Sequence, residues 1–129
     1  MIVIACGGRD YHRQAFVWAA LDAAHAKRPF TLLLQGGATG ADEDAGAWAV
    51  DRGVTMACRP ADWKALGNRA GPVRNAGMLA EAINLAKGQI RDVGVIAFPG
   101  GRGTNGMVAL ALNAAVTVWQ PKERAPAGA

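Results

Sequence analysis

The sequence predicts a doubly wound α/β domain: a mainly parallel, five-stranded sheet with helices on both faces. Three observations carry this. Short apolar segments alternate with helix-periodic ones along the whole chain, the order expected of βαβ units. The strand segments are apolar at almost every position, as in strands covered on both faces. Glycine-rich turns follow the first, second and fourth of them, where the strand-to-helix loops of such a sheet belong.

The first strand is Ile2-Val3-Ile4-Ala5, broken by Gly7-Gly8-Arg9-Asp10. From Tyr11 to Lys27 apolar residues recur at helical spacing, with Phe16, Ala19, Ala20, Ala23 and Ala24 as the expected inner face, and Pro29 ends the unit. Thr31 to Leu34 is the second strand and runs into Gln35-Gly36-Gly37-Ala38-Thr39-Gly40. A second helix spans about Ala41 to Arg52, with Asp42, Glu43 and Asp44 complementing the dipole of its first turn and Gly53 stopping it. Val54 to Cys58 is the third strand. Arg59 to Gly71 shows no period and reads as a long loop, a feature that is often functional in a small domain.

Pro72 opens a third helix through Ala76, Leu79, Ala80 and Ile83 to about Lys87. Val93 to Phe98 is the fourth strand, broken by Pro99-Gly100-Gly101-Arg102-Gly103-Thr104. A helix over about Asn105 to Ala114 and a strand over Val116 to Trp119 complete one domain, residues 1–119. Residues 120–129 read as a flexible tail. In the strand order 3-2-1-4-5 a crevice opens between the first and fourth strands, and three glycine loops converge on it.

Composition removes several chemistries. The 129 residues contain no serine, so no serine nucleophile exists. The two histidines and two cysteines form no metal-ligand spacing, and no metal is expected. No Gly-Lys-Ser/Thr stretch or G-x-G-x-x-G fingerprint occurs, which argues against a P-loop NTPase and a standard NAD enzyme. No apolar run spans a bilayer, so no membrane association is expected. Cys6 and Cys58 read as small core residues of a reduced, cytoplasmic protein, with a disulfide as the minor alternative. The net charge of +4 comes without a basic run, which disfavours nucleic acid as a partner.

Of seventeen glycines, nine (7, 8, 36, 37, 40, 100, 101, 103 and 106) lie in or just beyond the three loops. Such loops let a backbone approach a ligand, while the helix behind presents unpaired N–H groups. A phosphate is the natural guest; Arg9 and Arg102 lie inside two of these loops, and Arg74 opens the third helix. The alternative is that the glycines only make turns.

Five strings, CGGRDY (6–11), QGGATGAD (35–42), PADW (60–63), AGPVRNAGML (70–79) and FPGGRGTNGM (98–107), resemble in order those of the SLOG superfamily and its YspA-like branch. That superfamily includes the LOG-type phosphoribohydrolases and relatives of DprA. The resemblance implies a Rossmann-like fold and a nucleotide-type ligand, with no further cofactor. It aligns Gly100, Gly101, Gly103 and Thr104 with phosphate-cradling residues, and Arg74 with a substrate-contacting arginine. It also implies a homo-oligomer, since LOG-type relatives form dimers. Where those enzymes carry a catalytic glutamate, this chain has Met107, whose thioether cannot move a proton.

The candidate ligand-binding set is Gly7, Gly8, Arg9, Gly36, Gly37, Asp42, Arg74, Asn75, Pro99, Gly100, Gly101, Gly103 and Thr104. Asp42 is either a ribose ligand or a helix-start carboxylate serving the dipole. Asp10 reads better as the N-cap of the first helix than as a substitute acid. Asn75 contacts ligand or lies exposed. Trp63 either stacks on a base or, the preferred reading, anchors its loop against the core. Trp18, Trp48 and Trp119 read as packing or subunit contacts, and His12 and His25 as surface residues.

The first expectation is a non-catalytic or weakly catalytic module that binds a nucleotide or nucleotide derivative, with sensing of a nucleotide signal as one use. An N-glycoside hydrolase acting on a nucleotide through Asp42 or Asp10 is the alternative. Single-stranded nucleic acid binding is the third and weakest reading.

Overall fold

The computed structural model describes residues 1–123. Strands β1 (Ile2–Cys6), β2 (Leu32–Gln35), β3 (Met56–Cys58), β4 (Val93–Ala97) and β5 (Thr117–Trp119) form one sheet in the order β3-β2-β1-β4-β5. Every pairing is parallel, with Ile2 opposite both Leu32 and Val93. This is the doubly wound order expected from the sequence. Helices α1 (Gln14–Lys27), α2 (Ala41–Arg52), α3 (Trp63–Leu66), α4 (Ala70–Leu85) and α5 (Arg102–Asn113) lie between the strands in sequence.

Side-chain alternation along β1 divides the core into two layers. Val3 and Ala5 pack with Leu33, Ile96 and Phe98 against α1 and α2, which contribute Val17, Leu21, Ala45 and Trp48. Ile2, Ile4 and Cys6 pack with Leu34, Val95 and Ala97 against α4 and α5, which contribute Met78, Leu79, Met107 and Ala111. Trp48 is the largest fully buried side chain, and its indole N–H donates to Asp22 Oδ1 at 2.8 Å. Without that acceptor a buried donor would be left unpaired.

Several expected details are corrected. In α1 the buried face is Val17, Ala20 and Leu21, while Ala19 and Ala23 are exposed. In α4 it is Asn75, Met78, Leu79 and Ala82, while Ala76 and Ala80 are exposed. In helices this rich in alanine the few larger side chains fix the rotation, because they remove the most apolar area from water. The long loop after β3 contains α3 and a 3₁₀ turn, Gly67–Arg69. Helix α3 is one turn long, too short to show a period, and is started by Asp62, whose Oδ1 accepts from Ala65 N at 3.1 Å.

His25 is also not a free surface residue. Its Nδ1 accepts from the Phe30 N–H at 2.9 Å, and its ring packs edge-on against Trp48. Cys6 is buried as expected, but Cys58, at the end of edge strand β3, is exposed. Both thiols are free. Strand β2 separates their strands, which puts the two backbones roughly 10 Å apart, too far for a disulfide. Of the expected tail, residues 120–123 lie against the body: Pro121 is buried and Glu123 pairs with Arg13 through two hydrogen bonds of 2.6 Å. Residues 124–129 lie outside the described residues. No described helix is long and apolar enough to cross a membrane.

Candidate functional site

The chain turns back between β1 and β4, and a cleft of about 850 Å³ opens beyond the carboxyl ends of those strands. This is the switch point at which open α/β sheets bind ligands. The loop after β1 is fastened to both of its neighbours. Gly8 N donates to Pro99 O at 2.9 Å, Ala41 N donates to Gly8 O at 3.2 Å, and Thr39 Oγ1 donates to Arg9 O at 3.0 Å.

Glycine permits this closeness. A Cβ on Gly8 would lie 3.0 Å from Pro99 O, and one on Gly40 would be only 2.6 Å from Arg9 O. Gly40 also has a φ of +75°, which few other residues adopt. These glycines join the loops to one another. Gly101 and Gly103 do something else: both line the cleft, and a Cβ on either would meet nothing within 4 Å.

The three loops differ in what they offer an anion. Helix α5 begins at Arg102, three residues earlier than the sequence predicts, so Gly103 and Thr104 belong to its first turn. Among the described residues, the five consecutive backbone N–H groups of Gly100, Gly101, Arg102, Gly103 and Thr104 have no hydrogen-bond acceptor. Pro99, Arg102 and the other four all line the cleft. Unpaired N–H groups at the positive end of a helix dipole form an anion site.

The loop after β2 is closed by its own carboxylate. Asp42 Oδ2 accepts from Gly36 N at 3.2 Å and from Ala38 N at 3.3 Å. Gly37 N donates to Gln35 Oε1 at 2.6 Å. An anionic side chain thus occupies the position a phosphate would take there, and Gly36 and Gly37 do not line the cleft. Gly36 holds Asp42 in place, and Gly37, at a φ of +77°, turns the chain.

Asp42 itself lines the cleft and is only 4% exposed. Its second oxygen, Oδ1, is buried and accepts no hydrogen bond. Burial raises its pKa above the ordinary carboxylate value, opposed by the two backbone donors and by the nearby Arg74 guanidinium. A lone acceptor of this kind suits a donor carried in by a ligand.

Arg74 and Asn75, adjacent on α4, connect the loops. Arg74 Nη1 donates to Gly36 O at 2.5 Å, and its Nε donates to Asn75 Oδ1 at 3.0 Å. Asn75 Nδ2 donates to Gly103 O at 3.1 Å. Asn75 is buried with both ends of its amide in use, so it positions the α5 turn and is not exposed as one reading held. Arg74 keeps Nη2 without an acceptor among the described residues and lines the cleft. Arg9 and Arg102 are exposed at the cleft wall.

Asp10 lines the cleft with Gly7 and Gly8, but it is not the N-cap of α1, which starts at Gln14 after Arg13. Cys6 reaches the cleft floor, yet burial and the neighbouring Asp42 push its thiol up to about 12, with Arg74 opposing, so it remains protonated. Met107 is fully buried against Met78 and Ala111, in the core under the cleft. Sequence reasoning missed Asn68, Gly71, Pro72, Met78 and Leu110, which also line the cleft. Residues 68–72 fell in or beside the aperiodic segment, and Met78 carried the inward signal of the correct α4 face.

Comparison with known proteins places the chain in a family. The family model for YAcAr, the YspA, cpYpsA-related SLOG family, matches residues 1–65, from β1 into α3. The chain is also 32% identical over 106 residues to Gene 61 protein of Mycobacterium phage D29, a match covering 78% of each chain. The matched half carries the first two glycine loops and Asp42, and the chain belongs to the YspA, cpYpsA-related SLOG family.

Proposed function

We propose that this protein binds a nucleotide or nucleotide derivative in the cleft between β1 and β4. The observation that carries the reading is the run of five N–H groups, Gly100 to Thr104, without acceptors on the cleft wall. They take the phosphate, with Arg74 Nη2, Arg9 and Arg102 supplying positive charge. Asp42 Oδ1 accepts from a sugar hydroxyl, which would pair an oxygen that is otherwise buried alone. No further cofactor enters this scheme. The acidic first turn of α2 (Asp42, Glu43, Asp44) disfavours a second phosphate at that helix, so the ligand lies with its anionic end toward α5.

A second reading, N-glycoside hydrolysis, draws on one specific observation. A buried carboxyl with a raised pKa is a candidate general acid, and Asp42 is such a group beside the anion site. It would act in place of the glutamate whose position Met107 fills. Mass spectrometry of ligand released from the denatured, purified protein tests the binding reading. Incubation with nucleoside 5′-monophosphates and assay of free base separates the two. Turnover abolished by Asp42→Asn would replace the binding reading with the hydrolase.

The same proposal places the protein in the cytoplasm, where both thiols stay reduced, and as a homo-oligomer. Leu112 on α5 and Trp119 on β5 are exposed and offer apolar surface to a second copy. Sedimentation as a monomer at micromolar concentration would remove that part.

A further inference from the structure

The lining of the cleft is chemically mixed. Besides the glycine loops, Asp42 and Arg74, it includes Trp63, Asn68, Gly71, Pro72, Met78 and Leu110, most of which are apolar. A phosphate and a sugar leave most of about 850 Å³ unfilled.

Trp63 sits there in an unusual state. It is the first residue of α3 and is 51% exposed, so it does not anchor the segment by burial in the core. Yet it is held. Asp62 caps the turn that carries it, through the bond to Ala65 N. Its six-membered ring abuts α4 at Gly71, where an added Cβ would lie 3.2 Å from Cη2 and 3.9 Å from both Cζ2 and Cζ3. The nearest atom is the ring's tip, with its two neighbours equidistant. Gly71 therefore meets the indole at the tip of its six-membered ring, and about half of the residue stays exposed. A large aromatic surface left wet in a cleft, but fixed in position, costs little entropy to use in binding.

Resting on the nucleotide reading above, we propose that Trp63 is a stacking platform for the nucleobase, and that Gly71 sets its position. The ligand then spans the cleft, with phosphate on the first turn of α5 and a planar ring on the indole. Stacking is tolerant of ring identity, because every base has a π-face. The subsite selects for an aromatic ring as such.

The test compares ligands with and without the ring. Binding of the four common nucleoside 5′-monophosphates and of ribose 5-phosphate is measured by calorimetry on wild type, Trp63→Ala and Trp63→Phe. Circular dichroism confirms that each variant is folded. Trp63→Ala is expected to weaken the nucleotides roughly tenfold or more, leave ribose 5-phosphate unchanged, and be largely rescued by Trp63→Phe. Equal affinity of wild type and Trp63→Ala for every nucleotide would overturn the platform while leaving the nucleotide reading intact. An equal loss on ribose 5-phosphate would also overturn it, by showing a general effect on the cleft. If wild type binds none of the five, the nucleotide reading falls, and the platform with it.

Discussion

Asn75 Nδ2 donates to the carbonyl of Gly103 at 3.1 Å, so a side chain on α4 fixes the first turn of α5. The same amide accepts from Arg74 Nε at 3.0 Å. Asn75→Ala removes both bonds, and with partners that are only partly buried each is worth about 0.5–1.5 kcal/mol. We expect a lower urea midpoint with an unchanged m-value, together with weaker nucleotide binding. A midpoint within error of wild type would show that the link carries no energy.

Gly103 distinguishes a turn glycine from a site glycine. It lies in the first turn of α5 with open space where a Cβ would point, so Gly103→Ala introduces no clash. Replacing a helical glycine with alanine stabilises by roughly 0.5–1 kcal/mol. If the open space receives phosphate, the same methyl group obstructs the ligand. The expected result is a higher melting temperature and lost ligand-induced stabilisation. A variant that is more stable and still binds like wild type would mean the ligand does not approach this turn.

The fold was legible because its signals are redundant. Each strand was an apolar run, each crossover had room for a helix, and parallel handedness put the glycine loops on one edge. The rotations of α1 and α4 were not, because alanines and other small residues scattered around both helices blur the difference between their faces. Of the candidate site, the loop at Pro99–Thr104 was read from its glycines. The structural difference between that loop and Gly36–Gly37 was hidden, since it depends on one carboxylate folding back onto its own loop. Trp63 and Gly71 touch across a segment with no periodic signal, which no local pattern reveals.

Asp42 should show the cost of maintaining a site. Burial raises its pKa, so the fold favours the protonated form, and ionisation at neutral pH destabilises it. Asp42→Asn keeps an acceptor for Gly36 N and Ala38 N and removes the charge. We expect its melting temperature at pH 7 to exceed that of wild type by about 2–4 °C, with weaker nucleotide binding. The contribution of Asp42 is fully present below its ordinary value of 3.8 and is lost as pH rises through its raised value. The gap between variant and wild type should therefore open with rising pH and close in acid. A gap independent of pH would show that charge is not its cause.

Met107 predicts a failed rescue. Restoring the acid of the LOG-type signature by Met107→Glu places a carboxylate in the core, against Met78 and Ala111, with full burial. An uncompensated buried charge costs about 3 kcal/mol or more. The expected outcome is a large fall in melting temperature and no release of free base from nucleotides. A folded variant that gained hydrolysis would mean that position 107 reaches the cleft.

The two thiols should respond oppositely to an alkylating reagent. The thiolate is the reactive form, and burial holds Cys6 protonated, with its pKa pushed up to about 12. Cys58 is exposed at the end of edge strand β3, outside the cleft. Iodoacetamide at pH 8 should add one group to the native protein, at Cys58, and two in denaturant, each located by peptide mass spectrometry. Because Cys6 forms part of the cleft floor, slow native labelling there would report opening of the cleft, and a nucleotide should suppress it further. Labelling of Cys6 as fast as Cys58 in the native protein would show that the floor is open to solvent.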